Sequence, residues 1–325
     1  MEALDQLPNM SCHLHRLLAQ VPRGRVTTYG DLARALGNVI ASRWVGYYLL
    51  HHDHNQDCHC HRVVRSNGNL GAHVSGSQRE KSRCLDSEGV VVHSGRVDVQ
   101  QFQFFDFVVQ KPLEQRQQAA LEQLSLTVDI QPPDRIGGVD VSYAASTRHE
   151  VAAYAVVEIK SGKLIWSHQR HGRVAFPYIP SYLAFRELPL LLELIAEVQQ
   201  VGQLTDVVMV DGSGILHPRR AGVATLLGIQ ANLPTIGITK KRLCGQVDLG
   251  SLETGMPAPV EYQNRIVAMA LRNSNRSQRP IFISPGHRMD VATAVKWVQS
   301  VLYQRRLPAP IYWADRLSRK GVQGT

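Results

Sequence analysis

Three carboxylates occupy positions where an acid is costly to bury. Asp140 lies in GVDVSY (138–143), between Val139 and Val141. Strand side chains alternate faces, so the two valines point one way and Asp140 the other. Asp211 follows the continuous apolar run DVVMV (206–210) and opens Gly212-Ser213-Gly214. That places it at the carboxyl end of a strand buried on both faces, where the sites of α/β sheets lie. Glu187 sits in LAFRELP, just before an apolar helix expected at about 190–199. Three acids gathered from separate elements repel one another unless a cation joins them, and hard oxygen ligands suit Mg²⁺ or Mn²⁺. The same residues also admit a purely structural reading, in which Asp140 pairs with a buried arginine, Glu187 is solvated and Asp211 caps a turn.

A second set is made of softer atoms. His51, His52, His54, Cys58, His59, Cys60 and His61 share the stretch 51–61. A thiol beside an imidazole suggests a nucleophile with a proton acceptor. Thiols and imidazoles also suit zinc, although no paired CxxC is present, and a solvated His-rich loop is the plain alternative.

The elements that must hold these residues differ between the two halves. In the first half, Leu14, Leu17 and Leu18 follow helical spacing up to Pro22-Arg23-Gly24. Thr28-Tyr29-Gly30-Asp31 reads as a capping box opening the helix LARALG, with Gly37 as its stop. A further helix is expected at about 41–50. Helix, tight turn and helix form a helix-turn-helix, predicting a mainly α, winged-helix-like domain. Near residue 100 the composition shifts, and VQQFQFFDF predicts an alternating aromatic strand followed by a helix opening at Pro112. The second half alternates signals. IGGVDVSY, VAAYAVVEI and KLIWSH predict three successive strands, and DVVMV, TIGI and PIFIS predict short buried ones. This describes an α/β domain with a mixed sheet. The domains are expected at 1–108 and 112–325.

Bulk properties agree with this picture. Two domains suit 325 residues. Lys and Arg number 36 against 27 Asp and Glu, a net charge of +9 that favours a polyanion such as nucleic acid. Five cysteines in a chain this long argue against a secreted disulfide framework. MEALDQLPNMSCHLHRLL lacks a basic segment followed by a long apolar run, and no stretch reaches the roughly 18 apolar residues of a membrane span. The expected setting is cytoplasmic and nucleoid-associated, with no membrane partner.

GVDVSY (138–143), FPYIPSYLAFRELP (176–189), VDGSGILHPRR (210–220), TKKRLCG (239–245) and SPGHR (284–288) together resemble endonuclease V, in order and over nearly all of 112–325. The resemblance implies a ribonuclease H-like fold and cleavage of a phosphodiester 3′ to a deaminated purine, chiefly deoxyinosine. It implies that Asp140, Glu187 and Asp211 bind the metal, that Lys240 stabilises phosphate charge, and that His287 is an active-site histidine. His217 falls six residues after Asp211, as in the family, and is placed with the DNA contacts. Tyr178 and Pro180, in Pro177-Tyr178-Ile179-Pro180, match a wedge that parts strands at the lesion. Ser213 stands where the family more often has His or Asn, which implies altered base-pocket contacts.

VPRGRVTTYGDLARALG (21–37), SRWVG (42–46), CHRVVRSNGNLG (60–71) and SEGV (87–90) resemble O6-alkylguanine-DNA alkyltransferase over about 10–92. By that likeness Cys60 is the alkyl acceptor, His61 and Glu88 its proton relay, Arg43 the finger that fills the gap left by a flipped nucleotide, and Tyr29 the residue that helps rotate its phosphate. Three positions depart from the family: His59 replaces a proline, His52 a hinge asparagine and His73 a pocket tyrosine. The expected function is repair of double-stranded DNA carrying damaged purines, by nicking and by alkyl transfer. The alternatives are a nuclease with a non-enzymatic lesion-sensing module, and an endonuclease acting on inosine-containing RNA.

Overall fold

The computed structural model describes residues 8–54, 58–109, 111–145, 148–273, 279–303 and 305–323. The chain forms two compact units. One comprises Gln6–Gln115 with Pro177–Pro180, and the other takes in the rest of the chain from Arg116 onward.

The first unit is mainly helical. It contains α1 (Met10–Leu18), β1 (Thr27–Thr28), α2 (Tyr29–Ala35), α3 (Ser42–His51), β2 (Val63–Val64), α4 (Gln78–Ser87), β3 (Val92–His93), β4 (Arg96–Val97) and α5 (Val99–Phe102). The capping box is formed: Thr28 Oγ1 accepts from Asp31 N, and the Asp31 carboxylate accepts from Thr28 N. Gly37, at φ +110°, ends the segment in a conformation that other residues resist. A 3₁₀ turn at Val39–Ala41 then leads into α3. The two-residue strands β1 and β2 pair in parallel, and β3 and β4 form a small antiparallel hairpin. The aromatic strand expected from VQQFQFFDF is not formed. The Asp98 carboxylate caps Gln100 N and starts the helix α5, and the following residues run without a strand; Phe105 is 71% exposed. Here a local cap outweighs an alternating pattern.

The chain continues with α6 (Pro112–Leu121), β5 (Arg135–Tyr143), β6 (His149–Glu158), β7 (Leu164–Arg173), α7 (Ala184–Gln200), β8 (Val208–Asp211), α8 (Val223–Ala231) and β9 (Thr235–Thr239). It ends with β10 (Ala258–Tyr262), β11 (Arg265–Leu271), β12 (Ile281–Pro285), α9 (Val291–Ser300) and α10 (Ala309–Gln323). Eight strands form one mixed sheet in the order β10-β11-β12-β9-β8-β5-β6-β7. The central strands β5, β8 and β9 are parallel, and their neighbours are antiparallel. The β10–β11 hairpin was not legible in the sequence. Its turn residues Gln263 and Asn264 both have positive φ, the geometry that two-residue hairpin turns require.

Each face of the sheet has its own core. Val139, Val210 and Tyr154 pack with Leu188, Leu191 and Leu227 of α7 and α8. Ile136, Met209 and Ile236 pack with Trp297, Val298 and Ile311 of α9 and α10. The pair Gly137-Gly138 in β5 serves both faces. A Cβ at Gly137 would stand 2.2 Å from Tyr154 Oη, and one at Gly138 would stand 2.5 Å from the Pro310 carbonyl carbon. Glycine is therefore what lets α10 lie directly on the strand that carries Asp140. Among the described residues no helix is long and apolar enough to cross a membrane.

Candidate active sites

In the larger unit the parallel strands bring the predicted acids to one end of the sheet. Val139 is opposite Val210 in the β5–β8 register, so Asp140 and Asp211 are the next residues along. Asp140 lies on the α10 face, and its Oδ2 accepts from Ser318 Oγ at 2.7 Å. Burial first, and then the Asp211 charge, push the Asp140 carboxyl up to about 7. Glu187 arrives from the other face. It is 7% exposed, and its Oε1 accepts from Tyr143 Oη at 3.1 Å. Burial and the Asp140 charge hold Glu187 well above the usual carboxylate range. The sequence pattern placed Glu187 before its helix. It lies instead in the first turn of α7, which begins at Ala184 and continues through Pro189.

Lys240 follows β9 at the same end. Its Nζ lies 2.7 Å from Asp211 Oδ2 and 3.4 Å from Asp315 Oδ1. Burial opposes its charge, but Asp211 and Asp315 hold the ammonium more firmly protonated than usual. Asp315 and Ser318, both on α10, were missed in the sequence. They belong to WADRLSRK, which reads as an ordinary solvated helix, and only the close packing of α10 on β5 brings them to the acids.

Two predicted residues are placed elsewhere. His287 does not join the carboxylates. Strand β12 runs antiparallel to β9, with Pro285 opposite Ile236, so the residues after it return to the start of β9. There His287 N donates to Thr235 Oγ1 and His287 Nδ1 accepts from Ser125 N. His217 is 3% exposed. Its Nδ1 accepts from Arg219 N and Ala221 N, so its Nε2 carries the proton and donates to Ser181 O at 3.0 Å. Gln117 Nε2 and Arg219 Nη2 donate to the same carbonyl. Ser181, at φ +64°, is a strained non-glycine residue directly after the wedge segment 177–180. His217 thus fixes a loop rather than facing a substrate. Tyr178 of the wedge is 61% exposed. Ser213 is buried against Gly222.

A groove of about 1050 Å³ is lined by Ser142, Tyr143, Arg148, Arg173 and Arg319, among others, and Tyr143 is the residue that donates to Glu187. These arginines lie far apart in sequence, and no local pattern marked them.

In the smaller unit Cys60 and Cys58 are both buried and both free. Cys60 Sγ lies 3.5 Å from His54 Nδ1 and 3.9 Å from His73 Nε2, and Cys58 Sγ lies 3.0 Å from His52 Nε2. The hydrogen bond between the two thiols, with help from His52, lowers Cys58 to about 4, while Cys58 and burial push Cys60 up. The predicted relay pair is formed, with His61 Nε2 2.9 Å from Glu88 Oε1. Against burial, the hydrogen bonds from Arg62 and His61 hold Glu88 down to about 2. Tyr29 stands at the start of α2 beside Gly71, and Arg43 is exposed on α3.

The model of endonuclease V matches residues 118–316. The chain belongs to the endonuclease V family. Residues 10–90, outside the endonuclease V match, fit the DNA-binding domain of 6-O-methylguanine DNA methyltransferase. The chain is 33% identical over 292 residues to a bifunctional methyltransferase/endonuclease of Picrophilus torridus, the match covering 89% of each. Among solved structures, the catalytic domain of human endonuclease V matches at 30% identity, covering 65% of this chain and 95% of its own, with a TM-score of 0.61. Ciona intestinalis endonuclease V, bound to a 23mer DNA containing an inosine followed by a ribo-adenosine, matches at 25% identity, 65% and 96% coverage and a TM-score of 0.59. The acids and Lys240 all lie within the endonuclease V region, and Cys60, His61 and Glu88 within the methyltransferase region.

Proposed function

We propose that this chain is a DNA repair protein with two activities: a metal-dependent nick 3′ to deoxyinosine, and transfer of an alkyl group from O6-alkylguanine to Cys60. The observation that supports the nuclease reading is that Asp140 and Asp211 stand side by side on parallel strands, with Lys240 paired to Asp211 and the Asp140 charge acting on Glu187. The mixed sheet with helices on both faces is consistent with a ribonuclease H-like class. Carboxylate oxygens are the donor type a hard divalent cation takes. Asp140 and Glu187 are both held above their usual range, by burial first and then by a neighbouring acid's charge (Asp211 on Asp140, Asp140 on Glu187), which a cation would relieve.

Asp140, Glu187 and Asp211 would hold Mg²⁺, with Mn²⁺ as a substitute. Such an ion activates water and neutralises charge building on the phosphate. The chain's own groups do the rest. Ser318 orients Asp140, and Tyr143, kept protonated by burial and by Glu187, donates to Glu187. Lys240 places a fixed positive charge beside the reacting phosphate. Arg148, Arg173 and Arg319 guide the backbone along the groove. Exposed Tyr178 supplies a ring to cover an unstacked base. The Asp140→Ala variant should bind deoxyinosine duplex but not nick it. Mg²⁺-dependent nicking by that variant would refute the assignment. The ribo-adenosine in the Ciona complex favours a second reading, cleavage of inosine-containing RNA. Competition by single-stranded inosine RNA against the DNA substrate tests it.

In the other unit, the Cys60 sulfur attacks the alkyl carbon, the carbon–O6 bond breaks, and the guanine takes a proton from water. By the family resemblance His61, hydrogen-bonded to Glu88, would receive the thiol proton. Intact mass after incubation with O6-methylguanine duplex should rise by one methyl, and Cys60→Ala should show no rise. Tight binding without a mass change would make this unit a lesion sensor.

A further inference from the structure

The cluster around Cys60 is larger than alkyl transfer requires. His52, His54, Cys58 and Cys60 each offer one ligand atom, and the four atoms all lie within 4.8 Å of one another. Two sulfur–nitrogen pairs are already close, at 3.0 and 3.5 Å. A tetrahedral zinc ion with bonds of about 2.3 Å to sulfur and about 2.0 Å to nitrogen has sulfur–nitrogen edges of about 3.5 Å. Small side-chain adjustments would therefore complete the tetrahedron.

The surroundings point the same way. His52, Cys58 and Cys60 are each less than 9% exposed. Two free thiols in contact, with an imidazole against each, form a soft donor set that suits zinc rather than Mg²⁺. This donor set shares no residue with the nuclease acids.

We propose that His52, His54, Cys58 and Cys60 bind one zinc ion. The ion would tie α3, which ends at His51, to the loop that carries the acceptor cysteine. His73 Nε2, 3.9 Å from Cys60 Sγ, would lie just outside the coordination shell as a donor to that sulfur. Zinc binding releases the thiol protons, so Cys60 would be a coordinated thiolate without needing His61 to ionise it. This last step rests on the alkyl-transfer reading above; the metal site itself does not.

The full-length protein, purified without chelator and dialysed into metal-free buffer, should hold one zinc per chain by elemental mass spectrometry. Replacing zinc with Co²⁺ should give the strong sulfur-to-cobalt absorption and visible bands of a tetrahedral thiolate site. Cys58→Ser and His54→Ala should each lower retained zinc at least tenfold, whereas His59→Ala, outside the four, should retain it. Mg²⁺-dependent nicking of deoxyinosine DNA reports that each variant's nuclease unit is folded, and circular dichroism does so for the smaller unit. A folded wild-type protein that retains less than 0.1 zinc and gives no cobalt spectrum would overturn the proposal. So would full zinc retention in the Cys58→Ser/His54→Ala double variant. Methyl uptake by mass is measured separately, so loss of the metal site and loss of the transfer reading are distinguishable.

Discussion

His217 should act as a buried neutral brace whose protonation unfastens the loop behind the wedge. Burial, and then the Arg219 charge, lower it from 6.5 to about 4. Its Nδ1 accepts two backbone N–H groups, so a proton there would remove both acceptor bonds. The sign follows from linkage. The folded state disfavours the charged ring, so the stability is fully present above pH 6.5 and is lost as pH falls toward 4. A shift of that size corresponds to about 3 kcal/mol in all, and about 2 kcal/mol of it is already lost at pH 5. In a unit of this size about 2 kcal/mol lowers Tm by roughly 4–8 °C.

The test compares thermal unfolding of the wild type and of His217→Gln at pH 7.5 and pH 5. Glutamine offers an acceptor and a donor but does not titrate, so every other titrating group contributes alike to both proteins. The variant should start less stable, since glutamine fits the three bonds imperfectly at about 1 kcal/mol each. It should then lose about 4–8 °C less than the wild type on acidification. Nicking of deoxyinosine duplex should weaken in the variant through a looser wedge, while Mg²⁺ dependence stays unchanged. If the two proteins lose Tm in parallel, His217 is not held neutral by the fold and the bracing role fails.

Three further outcomes are expected. Gly138→Ala should drive α10 off β5 through the Pro310 clash, costing about 1–3 kcal/mol by denaturant unfolding and lowering nicking more than DNA affinity, because Asp315 and Ser318 move with the helix. Arg173→Ala should weaken DNA binding about equally for deoxyinosine and undamaged duplex and reduce the salt slope by about 1; an unchanged slope would remove it from the phosphate track. Glu88, held at about 2 against an ordinary 4.5, should stabilise the smaller unit above pH 4.5 by about 2 kcal/mol, allowing for some solvent screening. That stability is lost as pH falls toward 2, and Glu88→Gln should remove both the stability and its pH dependence in denaturant titrations.

The central sheet was legible because its strands carry their own signal. Asp140 lies between valines and Asp211 directly follows an apolar run, so each acid stands out from the residue order alone. The capping box at Thr28 and Asp31 was legible for the same local reason. What escaped depends on residues meeting across long sequence distances. Asp315 and Arg319 look like an exposed i,i+4 pair, and nothing in their helix announces that Gly138 admits it to the sheet. His287 shows the converse: SPGHR is a distinctive string, yet the antiparallel course of β12 carries its histidine to the start of β9, away from Lys240.

The arrangement of the acids also explains why this sheet end must be held so firmly. Asp140 is fixed from the α10 face by Ser318, Glu187 is fixed in the first turn of α7 on the other face, and Asp211 ends the strand between them. Movement of α7 would pull Glu187 away from the two strand-borne acids, and movement of α10 would break the Ser318–Asp140 hydrogen bond. Repulsion between Glu187 and the strand-borne acids opposes the close approach of α7, and packing must resist it. The resistance comes from side chains that touch no substrate: Leu188 and Leu191 under α7, Ile311 and the Gly138–Pro310 approach under α10. If the acids hold a cation as proposed, core substitutions in those two helices should therefore alter the metal concentration needed for nicking before they abolish the fold, because they disturb the placement of Glu187 and Ser318.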